Sequence, residues 1–393
     1  MGADIVIVGG GVAGCSIAYA LAARGAGSVV VLERDTIASG GTGRTAGIVR
    51  CHYGVPQLAA MAQWGLPIFH DARQILGADV GFHRVGYLVA VGADNVEPFT
   101  ASVTAQQGMG IDTEIVDVAT VARLWPTARL DDVAAFCLEP GGGYADGHAT
   151  AQAFAASARR LGASTRQSCP VAAVEVSGGA VRGVRLVDGT VLGASAVVLA
   201  TGPWTVPLLR PLGIDVDIRP TWVQEVLIDP GGRLGDPPVF SDVVSGQYVH
   251  MRGAELLVGA SSPQARVGID DPDVFSRHAT ARTVEETVER VAHRFPGLPR
   301  PRVAGTWTGV IDETPDQNPI MSATDCAGLF VAAGFSGHGF KISPAVGQLM
   351  ADLVTGAPPS IPGVGPRVFD LGRFAEGRLM RSRFPYSGVT GIR

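Results

Sequence analysis

Residues Asp4 to Glu33 constrain the fold of this chain more than any other stretch. Asp4 to Val8 (DIVIV) is a β-branched run of the kind that fills a strand buried on both faces. It runs directly into GGGVAG, where Gly9, Gly11 and Gly14 satisfy G-x-G-x-x-G. Cys15 to Ala23 then reads as a small-residue helix, and Ser28 to Leu32 (SVVVL) as a second buried strand ending in Glu33. Each piece has its own physical task. Gly9 permits the tight turn, Gly11 lets backbone approach a pyrophosphate, and Gly14 lets helix and strand pack closely. The helix N-terminus offers unpaired N–H groups and a partial positive charge to phosphate. Val12 and Ala13, between the glycines, join the cofactor-binding set, and Glu33 accepts from ribose hydroxyls. The unit predicts a dinucleotide site. Ile5 to Ala23 carries no charge, yet three consecutive glycines weaken it as a membrane span. No basic segment precedes the apolar run, which argues against a signal peptide.

Composition narrows the function classes. A chain of 393 residues makes two domains, or one large α/β body with an inserted lobe. With 46% hydrophobic and 17% charged residues it suits a soluble protein with a generous core. A net charge of −5 without a basic block gives nucleic acid little to hold, and nothing suggests a membrane surface. Cys15, Cys51, Cys137, Cys169 and Cys326 are scattered without C-x-x-C spacing, which points to a reducing cytoplasm. Cys15 and Cys169 read as packed thiols. No metal is expected, because the histidines are dispersed and no H-E-x-x-H occurs.

Further along, Ala38 to Gly47 (ASGGTGRTAG) is expected to wrap a ligand without forming a helix. Helices are expected at Pro56 to about Leu76, Val96 to Gly108, Asp117 to Leu124, Thr150 to Leu161, Asp273 to Phe295, and Pro344 to about Val354. Antiparallel strands are expected at 171–176, 181–186 and 191–192. Ser195 to Ala200 reads as a separate buried strand ended by the turn Thr201-Gly202-Pro203-Trp204. Val216 to Leu257 alternates in strand fashion, and Leu329 to Ala333 is a last buried strand before GFSGHGFK. The Pro- and Gly-rich tail from Gly356 is expected to wrap the surface. Strands of parallel type at 4–8, 28–32, 195–200 and 329–333 are thus interrupted by two long insertions. The expected class is α/β, an α+β two-lobed architecture with one Rossmann-type sheet assembled from distant segments. Residues 1–80, 140–212 and 318–393 form the nucleotide domain, and 81–139 with 213–317 form an inserted mixed-sheet substrate domain. Only one G-x-G-x-x-G lies between a strand and a helix, so the electron donor is expected to be the organic substrate.

Five spaced motifs resemble the FAD-dependent amine oxidases related to D-amino acid oxidase, in the sarcosine oxidase, dimethylglycine dehydrogenase and glycine oxidase branch. They are GGGVAG with Glu33, GIVRCHYG (47–54), VVLATGPW (197–204), WTGVIDETPDQNPI (307–320) and GFSGHGFK (334–341). The resemblance runs from Asp4 to Arg373-Phe374 and implies an FAD domain beside a substrate lobe, with the flavin at their interface. It implies that Arg50 and Lys341 clamp a substrate carboxylate. The physics agrees: Arg presents a planar fork and Lys a point charge, and two buried cations call for an anion. The plainer alternatives are a structural ion pair for Arg50 and a snorkelling side chain for Lys341. A cation at the positive end of a helix disfavours the latter. Gly337, His338 and Gly339 match backbone lying along the flavin, with His338 either bonding flavin or supporting the loop. Arg34, Thr42, Arg44, Thr45, Ala46, Gly202 and Trp204 fall in the cofactor-contacting segments, and Val171 matches the position whose backbone holds adenine.

Departures from the family shape the remaining expectations. Relatives tether FAD through Cys or His at positions that align with Gly309 and near Arg44, so a noncovalent flavin is expected. A lysine that activates O2 in sarcosine oxidase aligns loosely with Arg266, which leaves oxidase and dehydrogenase both open. Tyr248, His250 and Trp222 are candidates for the pocket wall. The expected chemistry is oxidation of an amino acid C–N bond to an imine, hydrolysed to aldehyde or keto acid plus amine. The partners are a carboxylate-bearing amino acid and O2 or another electron acceptor. A flavin subunit of a hetero-oligomer is the rival reading.

Overall fold

The computed structural model describes residues 2–365 and 367–389. The uncharged amino-terminal run becomes the strand Gly2–Val8, in the interior of a sheet whose order is 320–323, 329–333, 191–199, 2–8, 29–32, 164–166. All neighbours are parallel except the first pair. Val6 and Ile7 are wholly buried, as a strand covered on both faces requires. Helices Val12–Ala23, Gly147–Arg160 and Gly339–Thr355 pack together on one face. Gly347 lets the last of these approach closely, since a Cβ there would lie 2.2 Å from the Ser16 hydroxyl.

The second sheet is wider, in the order 267–268, 219–229, 255–260, 247–252, 239–242, 87–91, 135–139, 114–116. The long strand Arg302–Glu313 pairs along the whole of Arg219–Asp229. One junction, 239–242 with 87–91, is parallel and the rest are antiparallel. Every strand of the first sheet falls within 1–80, 140–212 and 318–393, and every strand of the second within 81–139 and 213–317. Among the described residues no helix is long and apolar enough to cross a membrane.

Several local expectations need correction. Val191–Leu192 and Ser195–Ala200 are one strand, Val191–Leu199. Its start pairs antiparallel with Ala180–Leu186 and the rest parallel with Gly2–Val8, so Gly193 and Ala194 mark a change of partner and no break. Residues 273–280 are not helical. Asp271 and Ser276 side chains bond backbone N–H groups there, and Thr280 caps a helix that begins at Ala281. The Gly-rich segment contains a 3-10 turn, Gly41–Arg44. The last long helix begins at Gly339, five residues earlier than expected; Pro344 lies inside it, its ring against Gly65. That shift places Lys341 in the first turn. The tail does not stay on the surface: Arg373 is fully buried, and Tyr386 reaches the core and bonds the His52 ring at 2.8 Å.

Candidate functional site

A cavity of about 610 Å3 runs between the two sheets, beginning at the glycine turn. Gly9 has φ +108, and a Cβ on it would sit 2.4 Å from the Ala200 carbonyl. Gly9, Gly11, Val12, Ala13 and Glu33 line this end. Gly14 does not line it. A Cβ at Gly14 would meet the Gly9 carbonyl at 2.0 Å, so this glycine serves helix–strand packing. Glu33 is held from two sides, accepting from Gly10 N at 2.7 Å and Asp35 N at 2.9 Å. Each carboxylate oxygen retains capacity for a second donor. The Val12 N–H is already taken by the Thr42 hydroxyl at 3.0 Å, so not every first-turn donor is unpaired.

The cavity is also lined by Thr42, Arg44, Thr45, Ala46, Val171, Gly202, Trp204 and Gly309. Arg34 stacks over Trp204 at 4.1 Å and makes paired bonds to Asp273 at 3.1 and 2.7 Å, joining the two lobes across the opening. Gly309 faces Arg44, because a Cβ there would lie 3.1 Å from the Arg44 Cβ. Gly337, His338 and Gly339 follow, and Asp312 anchors their loop by accepting from Gly334 N at 2.6 Å. Burial pushes the Asp312 carboxyl up to about 6 despite these backbone donors. Cys169 packs against the core beneath the nucleotide sheet, as expected, and also lines the cavity.

Arg50 and Lys341 both line this cavity, though 291 positions separate them in sequence (341 minus 50), and the charge of Arg50 acts on Lys341. The two-residue strand Ile48–Val49 pairs with Gly143–Tyr144 and delivers Arg50. Its guanidinium lies 4.2 Å from the Tyr53 ring centre and 5.5 Å from that of Tyr87, and donates to the His52 carbonyl. Burial alone would depress its pKa; the Tyr87 and Tyr53 phenols and the Glu139 carboxylate outweigh this and raise it. Glu139 accepts from Cys51 N at 2.8 Å and His52 N at 3.1 Å, with burial pushing its carboxyl up to about 7. Lys341 makes no ion pair among the described residues. Burial, followed by the charge of Arg50, holds its pKa well below the usual lysine range. His338 sits just before the helix, its Nδ1 3.3 Å from the Tyr53 hydroxyl.

The substrate-lobe wall is a row of residues in register across the wide sheet: Ser241, Tyr248, Gly259 and Glu225. The Tyr248 hydroxyl donates to Glu225, and Arg266 is ion-paired with Glu313. Tyr248 and Arg266 both line the cavity. His250 and Trp222 do not. His250 is covered by Tyr144, stacked at 4.6 Å. Glu225, Glu139, Asp312, Tyr53 and Tyr87 were not anticipated. Glu225 had a signal: it is an acid in phase with Val223 and Leu227 on one face of an alternating strand. Glu139 had none, since its partners lie more than eighty residues away.

A parallel nucleotide sheet facing a mixed sheet across such a cavity defines a two-lobed flavoprotein oxidoreductase. A family model described as FAD dependent oxidoreductase (DAO) matches residues 4–353, and the chain belongs to that family. It is 30% identical over 380 residues to the 4-methylaminobutanoate oxidase (formaldehyde-forming) of Paenarthrobacter nicotinovorans, covering 94% of this chain and 45% of that protein. Sarcosine oxidase subunit beta of Rhodobacter capsulatus is 27% identical over 385 residues, 96% of this chain and 90% of the relative. Among solved structures, L-proline dehydrogenase from P. horikoshii superposes with a TM-score of 0.88 at 26% identity, covering 96% and 99% of the two chains.

Proposed function

We propose that this FAD-dependent oxidoreductase oxidises the C–N bond of a secondary, N-substituted amino acid to an imine, which water hydrolyses to an aldehyde or keto acid plus an amine. O2 takes the electrons and leaves as H2O2. The observation that supports the reading is that Arg50 and Lys341, both buried, line the same cavity as the glycine turn, close enough for the charge of Arg50 to act on Lys341. The residues present fit a noncovalent FAD. All of these residues line the cavity, where the glycine turn would take the pyrophosphate, Glu33 would accept from the ribose, Val171 would hold the adenine and the 337–339 backbone would lie along the flavin. When bound, FAD supplies the hydride acceptor for the C–H beside the amine nitrogen.

Arg50 offers its fork to the substrate carboxylate while Tyr53 and Tyr87 fix the guanidinium plane. Glu139, holding two backbone N–H groups beside Arg50, keeps that strand end in place. Lys341 adds a second charge once an anion arrives. In the free protein its ammonium is disfavoured by burial, by Arg50 and by the positive end of the helix. A bound carboxylate reverses that balance, so its binding should favour proton uptake at Lys341. Calorimetry in two buffers of different ionisation enthalpy should read net proton uptake on carboxylate binding, and Lys341→Met should remove it.

Bleaching of the flavin absorbance under anaerobic conditions, screened against secondary amino acids and matched amines without a carboxylate, tests the reading. Bleaching is expected only where a carboxylate is present; equal bleaching by the plain amines would overturn it. A second reading, a dehydrogenase passing electrons to another protein, draws on the ion pair between Arg266 and Glu313, which offsets the cation expected near O2. Admitting air after bleaching separates the two, because an oxidase recovers its colour with oxygen uptake. Neither Gly309 nor Arg44 can tether the cofactor, so acid precipitation is expected to leave the yellow colour in the supernatant. Colour in the pellet would disprove a noncovalent flavin.

A further inference from the structure

Glu225 is a charged residue on the cavity side of the wide sheet, opposite the apolar face that carries Val226 and Ile228; it is 6% exposed and lines the cavity. One carboxylate oxygen accepts the Tyr248 hydroxyl; the other, Oε2, is buried without a hydrogen-bond partner among the described residues. A buried acceptor left unpaired is costly and calls for a donor. The pair is built rather than incidental. Tyr248, Gly259 and Glu225 stand in one cross-strand row, and the Tyr248 ring lies directly over Gly259. A Cβ on Gly259 would sit 2.1 Å from the ring carbon bearing the hydroxyl, so only glycine lets the phenol cross to Glu225. The same row reaches Ser241, which adjoins Tyr87 and thus the Arg50 end of the cavity. Three strand spacings put the Glu225 backbone roughly 14 Å along the wall from that of Ser241.

We propose that Glu225, oriented by Tyr248, is an anionic subsite that takes a cationic nitrogen of the substrate several bonds from the clamped carboxylate. The assignment rests on the carboxylate clamp of Arg50 and Lys341 and specifies the substrate class as a dipolar, extended amino acid. The charged groups around the carboxyl are Arg252 and, beside Tyr248, Arg266 with its partner Glu313. Burial pushes the Glu225 carboxyl up to about 7, so a cation held there also favours its ionised form.

The test uses holoenzyme and unreactive probes: ω-amino carboxylates of increasing length, each against the alkyl carboxylate of equal carbon number. Kd is read from perturbation of the flavin spectrum. At an intermediate length the amino probe should bind about tenfold or more tighter than its alkyl partner. Glu225→Gln should bring that ratio to about one, and because both probes are measured on the same variant, general damage cancels. On the native enzyme the ratio should also rise as pH passes from about 6 to about 8, a readout that needs no variant. A ratio near one at every length, a ratio indifferent to Glu225→Gln, or a maximum at glycine would each overturn the subsite. If Arg50→Ala leaves alkyl carboxylate binding intact, the clamp itself fails. If only the amine-dependent gain is missing, the clamp stands and this subsite alone falls.

Discussion

Replacing Arg50 with Ala should raise KM for a carboxylate substrate by two to three orders of magnitude, with kcat/KM falling at least as far. The size follows from burial. Truncating one partner of a desolvated, hydrogen-bonded charge pair costs about 2–5 kcal/mol, and each 1.4 kcal/mol is tenfold. Arg50 is 4% exposed and oriented by two aromatic rings, so no solvent-borne cation replaces it. Arg50→Lys keeps the charge but loses the fork and the stacking, and should recover only part of the loss. Steady-state kinetics with a substrate found by flavin bleaching decides the matter. An unchanged KM would remove Arg50 from the clamp and leave it a structural cation beside Glu139.

The second large effect concerns stability. Arg373 is completely buried and donates to Asp316 at 2.9 and 3.0 Å, to the Asn318 carbonyl at 2.8 Å and to the Phe369 carbonyl at 3.1 Å. It pins the segment 314–318, where Thr314 also receives and gives bonds to Asp316, Asn318 and Ser336, next to the 337–339 loop. Arg373→Met leaves Asp316 as an uncompensated buried charge, a loss of about 3–5 kcal/mol. The denaturant midpoint should fall with little change in slope, and flavin should be released more readily. Pairing it with Asp316→Leu should restore part of the stability. Burial alone would raise the Asp316 carboxyl, but Arg373 holds it below the ordinary value of 3.8. Its contribution is therefore complete above that value and drains away as pH falls further, so the wild-type advantage over the double variant should shrink in acid.

Legibility in the sequence followed the range of the interaction. The strand–turn–helix at 2–23 was readable because doubly buried parallel strands are continuous apolar runs and the glycines sit at fixed offsets. Arg50 and Lys341 were readable because a motif match and simple electrostatics singled out the same two side chains. The Glu225–Tyr248 pair was not, since it exists only through the register of three strands, and Gly259 looked like any other strand glycine. The start of the helix at Gly339 was missed because proline usually marks a first turn, whereas Pro344 occupies an interior position packed on Gly65. Arg373 was seen only as the end of a resemblance; its place in the core depends on the segment after Glu313.

The strand Gly2–Val8 is synthesised before both of its neighbours, 29–32 and 191–199, and the latter in turn leans on 329–333. Half of its hydrogen-bonding edge must therefore wait while nearly two hundred further residues are synthesised. Contacts this distant in the chain slow assembly and leave sticky edges exposed meanwhile. The central pairings of the nucleotide sheet are consequently complete only once residue 333 has been made, and supplying riboflavin during expression should raise the yield of folded protein mainly by trapping chains that have passed that point.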